Sequence, residues 1–155
     1  MAKKSAGILL YRMRGGSFEV FLGHPGGPLY TKKDEGVWSI PKGEYDGDED
    51  AYDAARREFT EETGHEAHGT GFELAPVMTK SRKTIRAWAV EGEADPGKVT
   101  SNTFEMEWPP RSGKRQPFPE IDRAEWFAPE VARAKLRPEQ VPLISELEAR
   151  LQDKQ

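Results

Sequence analysis

The chain contains no cysteine among its 155 residues. That excludes a disulfide framework, a thiolate metal site and a cysteine nucleophile, and it suits a reducing compartment. No apolar run approaches the ~20 residues that a membrane helix needs. Gly7–Tyr11 is too short for the apolar core of a secretion signal, so a soluble, cytoplasmic protein is expected. Net basic charge is also lacking. The formal charge is -4, which gives no global attraction to nucleic acid or to an anionic membrane. Apolar residues are sparse, at 35%, so the four Trp and seven Phe become the anchors of any core. Internal repeats, interdomain linkers and low-complexity segments are absent, and one domain over 1–155 is expected.

What is present reads as alternating strands and helices. Ser5–Met13 and Phe18–Gly23 read as strands joined by the Arg14–Ser17 turn, which suggests a hairpin. Val37–Ile40 reads as a short strand stopped by Pro41, and Lys42–Asp48 as a polar loop. A helix is expected over about Glu49–Thr63, capped by Asp46 or Asp48 and closed by Gly64. Its residues Ala51, Ala55 and Phe59 recur at i, i+4 and i+8, in a role opposite to that of its acidic stripe. Phe72–Thr79, Thr84–Glu91, Ser101–Trp108 and Asp122–Phe127 read as further strands. Ala94–Lys98 reads as a turn and Pro109–Pro119 as a Pro/Gly/basic loop. Pro129–Lys135 and Pro138–Gln152 read as helices. This order implies an α/β domain with a mixed sheet.

The most informative stretch is Gly43–His65, with the pattern G-x5-E-x7-R-E-(apolar)-x-E-E-x-G. Glu58, Glu61 and Glu62 stand at i, i+3 and i+4, on one helix face. Like charges at that spacing cost roughly 0.2–0.5 kcal/mol per pair. A divalent cation held by oxygen ligands offsets the repulsion directly, and Mg²⁺ or Mn²⁺ suits such donors.

The pattern matches the Nudix box, and the chain resembles the Nudix hydrolase family. Ser5–Arg12, Trp38–Glu44 and Asp122–Phe127 share the likeness. One departure is His65, where the family usually has a bulky aliphatic residue. The resemblance implies an α/β/α sandwich with the box as a loop-helix-loop. It implies metal binding by Glu58, Glu61, Glu62 and the Gly43 carbonyl, and a salt bridge between Glu49 and Arg57 that orients the glutamates. Glu61 and Glu62 remain alternatives for the general base. Glu120, six residues before Trp126, fits a glutamate that completes the metal site or acts as base, with Asp122 as fallback. Pro41-Lys42-Gly43 resembles the entry to the box in diadenosine and diphosphoinositol polyphosphate hydrolases. The chain also looks like a bacterial group of NTP pyrophosphohydrolases.

A polyphosphate needs cations beyond its metals. Lys42 and the cluster Lys80, Arg82, Lys83 and Arg86 are the candidates for phosphate contact, followed by Arg111, Lys114, Arg115 and Arg123. His24, His65 and His68 lack metal-ligand spacing, although His24 is a candidate pocket residue. Trp38, Tyr30 and Trp88 can stack a base or fill a core. The expectation is an Mg²⁺- or Mn²⁺-dependent pyrophosphohydrolase acting on a nucleoside diphosphate linked to another group, best a dinucleoside polyphosphate or a nucleoside triphosphate. Small-molecule polyphosphates are the expected partners, with no membrane and no nucleic acid. The alternatives are a non-catalytic nucleotide sensor, a hydrolase of diphosphoinositol polyphosphates and an RNA decapping enzyme.

Overall fold

The computed structural model describes residues 4–153. Strand β1 (Lys4–Arg14) turns through Gly15 and Gly16, both at positive φ, into β2 (Ser17–Pro25). The two pair antiparallel from Leu10↔Phe21 to Arg14↔Ser17, so the expected hairpin is present. On its other edge β1 runs parallel to β6 (Thr84–Glu91). Beyond β2 lies β9 (Ile121–Phe127), antiparallel to it. The resulting mixed sheet has the order β4-β6-β1-β2-β9, where β4 is Phe72–Glu73, with β3 (Lys42–Glu44) on β1 and β5 (Val77–Met78) on β6.

Side chains that alternate along β1 divide the interior in two. Ala6, Ile8 and Leu10 face helix α1 (Ala51–Thr63) through Ala51, Ala54, Ala55 and Phe59. Leu9 and Tyr11 face the opposite core, with Trp38, Phe127, Ala132 of helix α2 (Pro129–Lys135), and Leu143, Ile144 and Leu147 of helix α3 (Val141–Gln152). The sandwich is therefore α/β/α. Among the described residues no helix is long and apolar enough to cross a membrane.

Several expected elements differ. Residues 37–40 form no strand but only single bridges, Gly23↔Ser39 and Trp38↔Leu136. Pro41 has no N–H to extend a ladder, and the Ile40 N–H donates to the Gln140 side chain at 3.0 Å. The supposed polar loop instead holds β3 (Lys42–Glu44), paired with Ser5–Gly7. Gly7 permits the approach, since a Cβ there would lie 2.7 Å from the Pro41 carbonyl oxygen. The segment Phe72–Thr79 splits into β4 (Phe72–Glu73) and β5 (Val77–Met78). The basic loop carries β8 (Arg115–Pro119), paired with β7 (Thr103–Glu107) in a two-stranded sheet whose prolines sit on an edge. Residues 96–98 and 138–140 are short 3-10 turns.

Candidate active site

Helix α1 begins at Ala51, because Asp50, and not Asp46 or Asp48, is its cap. The Asp50 carboxylate accepts from Asp53 N–H at 3.0 Å. At the other end Gly64 adopts φ 76° and donates to the Thr60 carbonyl, the left-handed closure that glycine takes without strain. Between these ends the helix is rolled onto β1 so far that Glu58 and Glu62 share its buried side with Phe59. The acidic stripe is thus not opposite the apolar one. Its two inner members are drawn under β3, and only Glu61 remains half exposed.

β3 crosses over these carboxylates. The Lys42 N–H donates to Glu62 Oε1 at 3.3 Å. A Cβ on Gly43 would stand 2.0 Å from Glu58 Oε2, so the carboxylate lies directly against the glycine backbone. Arg57 organises the outer side. Its Nε and Nη2 make a bidentate pair with Glu49 at 2.8 and 2.9 Å. Its Nη1 donates to Glu58 Oε1 at 2.9 Å and to both Glu61 oxygens at 3.2 Å. A partly exposed pair of this kind adds only about 0–1 kcal/mol of stability. Its consequence is orientation, because one guanidinium holds three carboxylates.

Burial and crowding show in the ionisation of these groups. Burial pushes the Glu62 carboxyl up to about 8, and the charges of Glu120 and Glu58 add to it against the Lys42 N–H bond. Glu58 is also raised, first by burial and then by Glu61 and Glu120, with Arg57 opposing. Glu120 is raised by burial and held back by Lys42. Glu49, bonded by Arg57, is lowered.

A cavity of about 630 Å³ opens beside this face. Glu62, Lys42 and Glu120 line it together. Glu120 arrives from the start of β9, where its N–H donates to the Asn102 carbonyl at 2.9 Å and its carbonyl accepts from Gly26 N–H at 3.0 Å. Lys80 and Lys83 also line the cavity, but Arg82 and Arg86 do not. Arg86 lies on the α1 face of the sheet, where it is paired with Glu73 at 2.9 and 3.1 Å and set over the Trp88 ring. That commits it to structure rather than to phosphate. Arg111, Lys114 and Arg115 belong to the exposed β7–β8 hairpin, and Arg123 covers Trp38.

The remaining candidates are placed elsewhere. His24 is fully buried behind the cavity wall, with Nδ1 2.8 Å from Asp122 Oδ1 and Nε2 2.7 Å from the Lys33 carbonyl. This pairing also engages Asp122. His65 meets the Asp95 carbonyl at 3.1 Å, and His68 stands beside Glu66. Trp38 and Trp88 are core residues, and Tyr30 lies beside Lys33. Arg137 and Gln140 line the cavity without having given a sequence signal. Both belong to the turn before α3, which reads as an ordinary helix start.

The chain's pattern and fold agree with a family. The NUDIX domain model matches residues 1–147. The chain belongs to the Nudix family. With the box complete, it is an enzyme, a Nudix pyrophosphohydrolase. Similar solved structures include an Ap4A hydrolase from C. elegans in a binary complex, 23% identical over 98% of this chain and 99% of that one, with a TM-score of 0.69. The NUDIX domain of Shewanella oneidensis NrtR, complexed with ADP ribose, is 14% identical over 97% and 89%, with a TM-score of 0.67. The E. coli ORF135 protein is 22% identical over 96% and 91%, with a TM-score of 0.56. At these identities the likeness is one of fold. No curated protein matches the chain in sequence.

Nudix hydrolases generally use divalent metals, and the donors here are all oxygen, as hard cations require. Among the described residues no three acidic or histidine side chains form a ready metal cluster, because Arg57 engages Glu58 and Glu61 while Glu62 turns to Lys42 N–H. Glu58 and Glu62 are raised first by burial and then by neighbouring carboxylates, and a cation beside them would favour their charged forms. The donor set fits Mg²⁺ or Mn²⁺.

Proposed function

We propose that this Nudix enzyme hydrolyses a pyrophosphate bond in a nucleoside diphosphate linked to another group, a dinucleoside polyphosphate or a nucleoside triphosphate, with Mg²⁺ or Mn²⁺ as cofactor. The observation that carries the reading is the convergence of Glu62, Glu120 and Lys42 on one cavity beside the box helix. Glu58, Glu61 and Glu62, with the Gly43 carbonyl, hold the cation. When bound, it supplies charge neutralisation for phosphoryl oxygens and a lowered pKa for an attacking water.

The protein's own groups do the rest. Glu120 lines the cavity, and burial raises its carboxyl above the ordinary value with Lys42 opposing, which suits a proton acceptor. It takes the proton as the water oxygen bonds to phosphorus and the bridging P–O bond breaks. The leaving phosphate departs with the electron pair, and Lys42 meets its charge. Lys80 and Lys83 hold the rest of the chain of phosphates. Glu49 and Arg57 orient the glutamates and touch no substrate. Glu61, half exposed and held by Arg57, is assigned to the cation and not to proton transfer.

The test is product formation with Mg²⁺ or Mn²⁺ across nucleoside triphosphates, dinucleoside polyphosphates, ADP-ribose, NADH and a diphosphoinositol phosphate. Glu62→Gln and Glu120→Gln run alongside. Turnover lost in both variants is expected. Wild-type turnover no greater than that of Glu62→Gln on every substrate refutes the reading and leaves a nucleotide sensor.

A further inference from the structure

The cavity's cations come from three separate parts of the chain. Lys42 belongs to β3, Lys80 and Lys83 to the turn between β5 and β6, and Arg137 to the segment before α3. The position of Arg137 is built rather than incidental. Its N–H donates to the Trp38 carbonyl at 2.9 Å. Next to it the fully buried Gln140 accepts from Ile40 N–H and donates to Ser39 Oγ, both at 3.0 Å. The opposite turn is closed by Thr79 N–H to the Lys83 carbonyl and by Lys83 N–H to Thr79 Oγ1. Arg82, at φ 64°, takes the left-handed corner of that turn, and its two lysine neighbours line the cavity.

These cations are incompletely matched. Among the described residues the Lys42 and Lys80 ammonium groups have no hydrogen-bond or salt-bridge partner. Lys83 meets Glu44 at 2.9 Å. Arg137 offers only Nε to Glu139, at 3.3 Å, and its two terminal nitrogens stay available. Glu62, Glu120 and Glu139 line the same cavity, so its four cations outnumber its carboxylates by one.

Equally informative is what does not line the cavity. No aromatic side chain does so among the described residues. A base would find no ring to stack on, which is the usual sequence-tolerant way to hold one. A phosphate chain would find a fork and three ammonium groups, the donors that phosphate oxygens prefer.

We propose that this site reads its substrate by phosphate charge and not by base, so that its ligand class is a linear polyphosphate chain, with or without a nucleoside at its end, and that Arg137 is a specificity-determining residue for it. The inference rests on the hydrolase reading above and names the substrate class of that site.

The experiment is isothermal titration of the full chain without divalent cation, so that nothing turns over. The probes are inorganic tripolyphosphate, ATP, UTP and adenosine. The three phosphate probes are expected to bind within about threefold of one another, and adenosine not to bind. Arg137→Ala should weaken all three by about tenfold or more, Arg137→Lys should recover part of the loss, and Arg111→Ala on the exposed hairpin should bind as wild type. Melting curves confirm that each variant is folded. ATP or UTP binding more than tenfold tighter than tripolyphosphate overturns the proposal, as does unchanged binding by Arg137→Ala or no binding of tripolyphosphate at all. Because the readout needs neither metal nor turnover, it fails independently of the hydrolase assay.

Discussion

Replacing Gly43 by alanine separates the glycine's catalytic reason from a structural one. A Cβ built there lies 2.0 Å from Glu58 Oε2, 2.1 Å from Cδ and 2.5 Å from Oε1, all inside the 3.0 Å that real Cβ contacts respect. Gly43 is not at positive φ, so alanine suits the backbone itself. The obstacle is the far end of a side chain, and Glu58 must swing aside. In moving it gives up the Arg57 Nη1 bond at 2.9 Å, a partly exposed contact worth about 0–1 kcal/mol. The loss of glycine's unfolded-state freedom returns about 0.4–1 kcal/mol. The two nearly cancel, so Tm should move by no more than a few degrees.

Activity should fall much further. A carboxylate displaced by about 1 Å from the cation it holds costs on the order of 10²-fold. Gly47→Ala is the control, because Gly47 sits in the loop before α1 and a Cβ there meets nothing within 4 Å. The assay pairs a thermal melt in chelator with Mn²⁺ titration and steady-state hydrolysis. A folded Gly43→Ala protein with wild-type Mn²⁺ affinity and turnover would refute the placement of Glu58 against this glycine. Loss of the folded state would refute the claim that only a side chain has to yield.

Three further perturbations test other parts of the structure. Glu62 has a folded-state pKa of about 8 against an ordinary 4.5, so the metal-free fold binds the extra proton between those values. Its stability should fall as pH rises through that window, by on the order of 2–5 kcal/mol, and Glu62→Gln should flatten the slope in pH-dependent denaturation; a slope equal to wild type would remove Glu62 as its source. Arg57→Lys keeps the charge but cannot span Glu49, Glu58 and Glu61 at once, so turnover should drop by about tenfold to a hundredfold with Tm changed by only a few degrees. Equal losses of stability and activity would instead make the pair structural. Gln140→Ala removes the partner of Ile40 N–H in a fully buried place and should cost about 1–3 kcal/mol in a denaturant titration; an unchanged midpoint would show that water replaces the amide.

The box helix was legible because its information is local. Glycine, acidic spacing and the Ala51, Ala55, Phe59 series sit within a few turns, and each keeps its meaning without tertiary contacts. Strand β6 and helix α2 were legible for the same reason, since apolar content and a leading proline mark them directly. β3 and β8 were not, because a three-residue polar strand and a proline-bearing edge strand have no period-two apolar signal. Their pairing comes from what already lies beside them, with Gly7 admitting β3 to β1.

The burial of Glu58 and Glu62 was hidden more deeply. Charge spacing alone puts such residues on a solvated face, and only the docking of α1 against β1, with β3 laid across it, reverses that. Gly43 and Lys42 make the reversal tolerable, one by lacking a side chain and the other by lending a backbone N–H. The same contrast explains Arg137. Its position depends on Gln140 reaching back about a hundred residues to Ser39 and Ile40, and no window of sequence contains both ends of that bond. Glu58, Glu61 and Glu62 are therefore written in one helix, whereas Glu120 and the cations proposed to select the ligand are distributed over the fold. On that division, substitutions in the Thr79–Lys83 turn or near Arg137 should weaken binding of every phosphate compound while the chemistry at α1 persists. Substitutions in α1 should abolish turnover and leave ligand preference in place.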